Sequence, residues 1–206
     1  MEVTDVRTIR RKVTLTIGTE TLTVSRALYR ERPIQPGEDI DLEEYEQWLL
    51  LHQYKPAMDY ALTLLSARAY ARGELHSRLT RAGYRPQTAD MVLYKLEKIG
   101  VMDDEEFARA WAESRMRAGL GKSRIAQELR RKGIEQGLIA QTLENLSAED
   151  QAEEVVRMAA RGLRRAKAGE DPRKTEQRVL AMLARRGYRY DEAKAAIEAA
   201  REEEED

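Results

Sequence analysis

The sequence predicts a mainly α-helical fold, an elongated stack of three three-helix repeats behind a small N-terminal β-hairpin and helix. Three observations carry this prediction. Residues 8–24 alternate apolar and polar side chains at period two, residues from 57 onward carry apolar stripes at helical spacing, and one helical pattern occurs three times. The first is the mark of a half-buried strand and the second of an amphipathic helix.

The elements follow in order. Ile9, Val13, Leu15 and Ile17 alternate with Thr8, Arg10, Lys12, Thr14 and Thr16, and after Gly18-Thr19 the alternation resumes with Leu22, Val24 and Leu28. A two-residue loop with glycine first suits a type II′ hairpin. Only half of such a hairpin is apolar, so it needs a partner layer. Arg32-Pro33-Ile34-Gln35-Pro36-Gly37 reads as a loop. Asp41 with Glu44 then reads as the capped start of a helix that presents Tyr45, Trp48 and Leu49 and ends before Pro56.

Beyond residue 57, Leu75-x-x-x-Leu79-x-x-x-Gly83 returns as Ile125-x-x-x-Leu129-x-x-x-Gly133 and as Val179-x-x-x-Leu183-x-x-x-Gly187. An apolar or aromatic residue follows each glycine (Tyr84, Ile134, Tyr188), with Ala89, Ile139 or Ala193 six residues on and Leu93, Leu143 or Ile197 ten on. Apolar residues four apart line one helix face, and glycine takes the left-handed cap conformation without a Cβ penalty. A helix precedes each pattern, over 57–70, 103–117 and 147 to about 167. Asp103 with Glu106 and Ser147 with Asp150 resemble capping boxes. Pro86 and Asp171-Pro172 mark helix starts. The expected organisation is a hairpin and helix over 1–56, repeats over 57–102, 103–146 and 147–201, and an acidic tail over 202–206. One unit buries only a thin core, so serial units stack into an extended body.

Composition excludes several function classes. The 206 residues contain no Cys, which removes disulfides, thiolate chemistry and iron–sulfur clusters, and aromatics are only 6%. No apolar run approaches the ~20 residues of a membrane span, and the N-terminus lacks a signal-peptide core. A soluble cytoplasmic protein without cofactor or metal is expected. The formal net charge of −1 hides its distribution: residues 57–201 carry 28 basic and 22 acidic side chains, while residues 202–206 are all acidic. Such an acidic block is expected to be disordered.

The bases gather at equivalent places. Arg81 and Arg85 surround the first repeat glycine, with Arg78 nearby; Lys122, Arg124, Arg130, Arg131 and Lys132 surround the second. The third has Arg173, Lys174, Arg185, Arg186 and Arg189, with Arg178 among them and Arg164, Arg165 and Lys167 just before. The helix dipole accounts for one or two cations at a helix end, at ~0.3–1 kcal/mol each. The excess points to a surface that faces a polyanion.

Catalysis finds no support. His52 and His76 stand on different helical segments without a nucleophile or orienting acid. Asp103-Asp104-Glu105-Glu106 point around a helix start instead of at one ion. Gly119-Leu120-Gly121-Lys122 has neither the spacing nor the strand of a phosphate loop. Trp111 and Phe107, four apart, read as core packing.

Several segments resemble the RecX family, regulatory proteins that act on the RecA recombinase. They are Arg72-Gly73-Glu74-Leu75 with Leu79 and Gly83-Tyr84; Gly100-Val101-Met102-Asp103-Asp104-Glu105-Glu106-Phe107-Ala108 with Arg115; and Gly121, Ser123-Arg124-Ile125, Glu128-Leu129 and Lys132-Gly133-Ile134. The long basic first helix of the third repeat and the acidic tail depart from the family pattern. The resemblance implies a curved stack of helix-turn-helix-like repeats lodged in the groove of a RecA filament on single-stranded DNA. It implies a non-enzymatic regulator, in DNA repair and the SOS response, that inhibits recombinase, ATPase and co-protease activities. Expected partners are the RecA filament, single-stranded DNA and also double-stranded DNA, with the chain acting as a monomer. Two alternatives stand beside it. A duplex-binding helix-turn-helix transcription regulator would concentrate bases on one recognition helix, and a protein-only helical scaffold would lack salt-dependent DNA affinity.

Overall fold

The computed structural model describes residues 1–166 and 170–205, apart from the side chains of Ala148, Asp150, Glu204 and Glu205. Two compact units result, Met1–Asp103 and Asp104–Asp206.

The first unit opens with an antiparallel sheet of three strands in chain order, β1 (Val3–Ile9), β2 (Lys12–Ile17) and β3 (Glu20–Ser25). The expected hairpin is β2–β3, with Leu15 opposite Leu22 and Val13 opposite Val24. At its loop Gly18 has φ +60° and Thr19 does not share a positive φ, the type II′ pattern. The sequence reading differs at both ends of this hairpin. The alternation through Ile9 is broken by a turn at Arg10-Arg11, and β1 pairs with β2 as a third strand. Arg10 carries φ +55° there, a conformation normally signalled by Gly, Asn or Asp, so the sequence offered no turn signal. Leu28 is not a strand residue; it lies on a short helix α1 (Arg26–Glu31) capped by Ser25, whose hydroxyl accepts from the Leu28 N–H.

Helix α2 (Leu42–His52) starts as read, with the Asp41 carboxylate accepting from the N–H groups of Glu43 and Glu44. Helix α3 (Tyr54–Leu65) begins earlier than the residue-57 start because Pro56 falls in its first turn, where a missing donor costs nothing. Helices α4 (Arg72–Arg81) and α5 (Pro86–Lys98) complete the repeat. The sheet is not a separate layer: Val13, Leu15, Ile17 and Val24 share one buried core with Leu75, Leu79, Val92 and Leu96.

The second unit holds α6 (Asp104–Arg117), α7 (Lys122–Arg131) and α8 (Gln136–Glu144), then α9 (Ala148–Leu163), α10 (Pro172–Arg186) and α11 (Tyr190–Glu205). Asp171 caps α10 by accepting from the Arg173 N–H at 2.9 Å, with Pro172 at the first helical position. Helix α9 ends at Leu163, short of the expected 167. The expected disordered tail is replaced, through Glu205, by the continuation of α11. The capping partner Asp150 lies outside the described side chains.

The repeat alignment is visible in burial and in the turns. Leu75, Ile125 and Val179 are buried, as are Leu79, Leu129 and Leu183, and Ala89, Ile139 and Ala193. Each middle helix closes in the same Schellman turn. The N–H groups of Tyr84, Ile134 and Tyr188 donate to the carbonyls of Leu79, Leu129 and Leu183 at 3.1–3.2 Å, and the three glycines carry φ of +95°, +85° and +93°.

Two of these turns are docking points. The Gly83 turn abuts β3, where a Cβ would lie 2.6 Å from the Val24 carbonyl carbon and 2.7 Å from the Ser25 nitrogen. The Gly187 turn abuts the start of α7: Gly121 donates its N–H to the Arg186 carbonyl at 2.9 Å, and Gly187 faces the Arg124 backbone. Arg186 locks the contact from its side chain, donating to the carbonyls of Ala118 and Gly119 at 3.2 and 3.3 Å.

In the second repeat a polar cluster ties α6 to α7. The Glu128 carboxylate accepts from Arg115 at 2.8 Å and from the Trp111 indole N–H at 3.2 Å, while the Lys132 ammonium sits 3.9 Å from the Trp111 ring centroid. The Glu128 side chain is only 21% exposed, so the cluster is partly desolvated.

Gly83→Ala is expected to lose more stability than Gly37→Ala. Both have strongly positive φ, but nothing stands within 4 Å of a Cβ at Gly37. Gly37→Ala should cost about 1–2 kcal/mol from backbone strain alone, and Gly83→Ala that plus the collision; denaturant unfolding of the two variants measures the difference. Glu128→Ala, which leaves Arg115 and the Trp111 N–H without their acceptor, should cost about 1–3 kcal/mol in the same assay.

Candidate nucleic-acid interface

The repeat turn places one arginine in the same position three times. Arg81, Arg131 and Arg185 each stand two residues before the turn glycine, in the last turn of α4, α7 and α10. All three are exposed, and none has a carboxylate partner among the described residues. Their backbone carbonyls lie at the negative end of the helix, which favours a cation there. The dipole explains their placement but does not neutralise the guanidinium, which stays available to an outside anion.

The other bases of the sequence-derived set divide by what they touch. Lys122, Arg165, Arg173 and Lys174 also lack a carboxylate partner among the described residues, and Arg130 donates to the Gln136 amide oxygen at 3.3 Å. Arg173, Lys174 and Arg185 share the exposed surface of α10 with Arg178, which Glu170 holds at 2.8 Å. Several have partners within the chain. Arg85 pairs with Glu46 at 2.8 Å, Arg124 with Glu128 at 3.7 Å and Arg189 with Asp191 at 3.2 Å. Lys132 lies over Trp111, Arg186 is the clamp on Ala118 and Gly119, and the exposed Arg164 also has a partner. Lys167 lies outside the described residues. The spacing of bases along the chain could not separate these groups, because the acids that hold Arg85 and Arg178 come from other segments.

Outside that set, Arg78 lies over the Tyr70 ring, and Arg10, Arg11, Arg26 and Arg30 have no carboxylate partner among the described residues. The signal available in the sequence was the Arg10-Arg11 pair and the i, i+4 spacing of Arg26 and Arg30.

The histidines are spoken for locally. His52 Nδ1 is 2.8 Å from the Trp48 carbonyl and its ring stacks on Trp48, while His76 Nε2 is 3.8 Å from Asp90. No group of three His, Asp or Glu among the described residues is arranged to hold a metal ion, and no helix among them is long and apolar enough to cross a membrane. Burial pushes the Tyr188 phenol up to about 12, with Glu154 adding to the rise and Arg186 opposing it. Tyr188 is therefore neutral at neutral pH, an apolar wall beside the third turn and not a proton carrier.

Three family models match this chain in order: the first three-helix domain of RecX over residues 57–96, the second over 103–143 and the third over 149–197. The regulatory protein RecX of Mycobacterium sp. (strain JLS) is 41% identical over 133 residues, which span 63% of this chain and 73% of that protein. That of Mycobacterium ulcerans (strain Agy99) is 44% identical over 132 residues, 62% and 74% of the respective chains. Among solved structures, a regulatory protein RecX superposes with a TM-score of 0.65 at 19% identity, covering 96% of this chain and 98% of that one. RecX from Lactobacillus salivarius superposes with 0.66 at 20% identity, covering 71% and 96%. The structures share the fold; with three matched domains in sequence order and relatives above 40% identity over nearly three-quarters of their length, this chain belongs to the RecX family.

Proposed function

We propose that this protein is a non-enzymatic, monomeric and cytoplasmic regulator that binds the RecA–single-stranded DNA filament, in its groove, and inhibits recombinase, ATPase and co-protease activities in DNA repair and the SOS response. The single observation that carries the reading is the exposed arginine without a carboxylate partner at one position of all three repeat turns, Arg81, Arg131 and Arg185. Guanidinium groups at a fixed place on successive repeats suit the phosphates of a nucleic-acid strand, single or double, because each neutralised phosphate releases counterions. Lys122, Arg130, Arg165, Arg173 and Lys174 extend that set. The relatives' name, regulatory protein, supports a regulatory role. The proposed organisation is an N-terminal segment of 1–56, repeats of 57–102, 103–146 and 147–201, and a short acidic end.

The duplex-reading alternative is disfavoured by α8, the candidate recognition helix of the second repeat, which carries no Lys or Arg. RecA-dependent ATP hydrolysis on single-stranded DNA, titrated with this protein, tests the reading directly: hydrolysis should fall as the protein is added. The combined Arg131→Ala and Arg185→Ala variant should weaken single-strand binding and flatten its dependence on salt by roughly 1.4 in log–log slope, about 0.7 for each phosphate left unneutralised. Its melting curve should stay within about 0.5 kcal/mol of the parent, as for exposed substitutions generally. An unchanged slope would remove these turns from the interface. His52→Ala with His76→Ala should leave the inhibition intact, since neither ring faces a nucleophile or metal; loss of inhibition in that folded variant would reopen an enzymatic reading.

A further inference from the structure

The first repeat is poorer in bases than the others. The position filled by Arg124 in the second repeat and Arg178 in the third is Glu74 in the first, and Arg68 neutralises it. The β1–β2 turn and α1 place further bases beside its turn. Where β3 covers the Gly83 turn there is a pocket of about 310 Å³, walled by Arg10, Arg11, Arg26 and Arg30 with the rings of Tyr60 and Tyr84. Ala82 and Tyr84, the residues on either side of Gly83, both line it, so it opens beside the turn that carries Arg81.

The walls of this pocket are held in place by the fold. Arg10 and Arg11 form the β1–β2 turn, Arg26 and Arg30 sit one turn apart on α1, and the Arg26 N–H donates to the Arg11 carbonyl at 2.7 Å, which draws the two pairs together. The Arg11 guanidinium is steadied 5.1 Å from the Tyr60 ring centroid, and the Tyr84 hydroxyl donates to the Pro56 carbonyl at 3.1 Å, which fixes that wall. No carboxylate lines the pocket; Asp59 is close enough for Tyr84 to feel its charge but is not part of the lining. Arg10 is the only non-glycine residue with positive φ among the described residues, an uncommon conformation held where two guanidinium groups project. Four like charges around one small cavity repel one another, and an anion between them relieves that repulsion. Planar guanidinium forks match phosphate oxygens two at a time, and the volume is at the small end for a ligand cavity.

We propose that this pocket is a phosphate-binding site that takes the backbone phosphate of a single-stranded nucleic acid passing the Gly83 turn. The β1–β2 turn and α1 then bring a second group of cations beside the first repeat's turn. The pocket shares its nucleic-acid partner with the function proposed above but rests on different residues, so the two readings can fail separately.

The test uses the full-length protein and a fluorescein-labelled oligothymidylate. Arg26→Gln with Arg30→Gln should flatten the salt dependence of binding by about 0.7 in slope, the value for one single-strand phosphate no longer neutralised, with the melting curve unchanged. An unchanged slope in the folded variant overturns the proposal, whether or not the Arg131 and Arg185 variant still shows its own flattening. A flatter slope here with none there keeps the pocket and sinks the repeat-turn reading. Should the variant not fold, phenylglyoxal labelling of the unmodified protein decides: the oligothymidylate should protect Arg10, Arg11, Arg26 and Arg30 at least threefold, and equal labelling with and without it overturns the proposal. Thymidine monophosphate is the second arm. Protection by the strand alone supports the proposal, whereas equal protection by the mononucleotide at the same phosphate concentration overturns the strand assignment in favour of a free nucleotide.

Discussion

A residue without a side chain, held at positive φ, is the constraint on which the two compact units depend. At Gly83 and Gly187 the backbone reverses in a left-handed cap and another backbone packs closely where a Cβ would stand. The first brings β3 onto the first repeat, and the second brings the third repeat onto α7 of the second. The Schellman turn thus does two jobs at once. It satisfies the last carbonyls of each middle helix, and it offers a flat backbone surface against which the neighbouring element can pack. The apolar stripes at Leu75 and Leu79, Ile125 and Leu129, and Val179 and Leu183 anchor the helices so that the turns fall where they are needed.

The same geometry governs the charges. A middle helix that must end at the turn has its negative pole there, and the chain answers with Arg81, Arg131 and Arg185. The electrostatics that stabilise the helix end also keep a guanidinium exposed at a repeat-spaced position. Bases that face the interior of a unit are used differently: Arg186 donates to two carbonyls, Arg115 joins Glu128, and Lys132 covers Trp111. Identity as Lys or Arg therefore does not decide the role; the acceptors within reach do.

Most of the helical part was legible in the sequence because its determinants are local. The glycines, Pro86, the Asp41 and Asp171 caps and the spacing of the buried stripes each act within one or two turns, and the helices form there. The N-terminal part was less legible because its determinants are not. The turn at Arg10-Arg11 lacks a turn residue and is imposed by the pairing of β1 with β2, and Leu28 follows the strand rhythm yet lies on a helix started by Ser25. The acidic end looked like a self-repelling block, but α11 carries its helix on to Glu205. For the candidate site, the sequence located the basic clusters. It could not tell which guanidinium groups meet a carboxylate from a distant segment, as Arg85 meets Glu46, nor that β1, β2 and α1 would bring four arginines together beside Gly83.

The shared core of the first unit also sets a timetable. Val3 and Val13 are buried in the same cluster as Leu93 and Leu96, so the sheet has no complete apolar partner until the chain has been made through Leu96. Pairings that distant in sequence slow folding, whereas the third repeat closes its core among Val155, Val179 and Ile197, a far shorter span. The strands β1, β2 and β3 are therefore made well before the helices that cover them. Until then the apolar face of the sheet stands uncovered, and the outer edges of β1 and β3 are where a second chain could add.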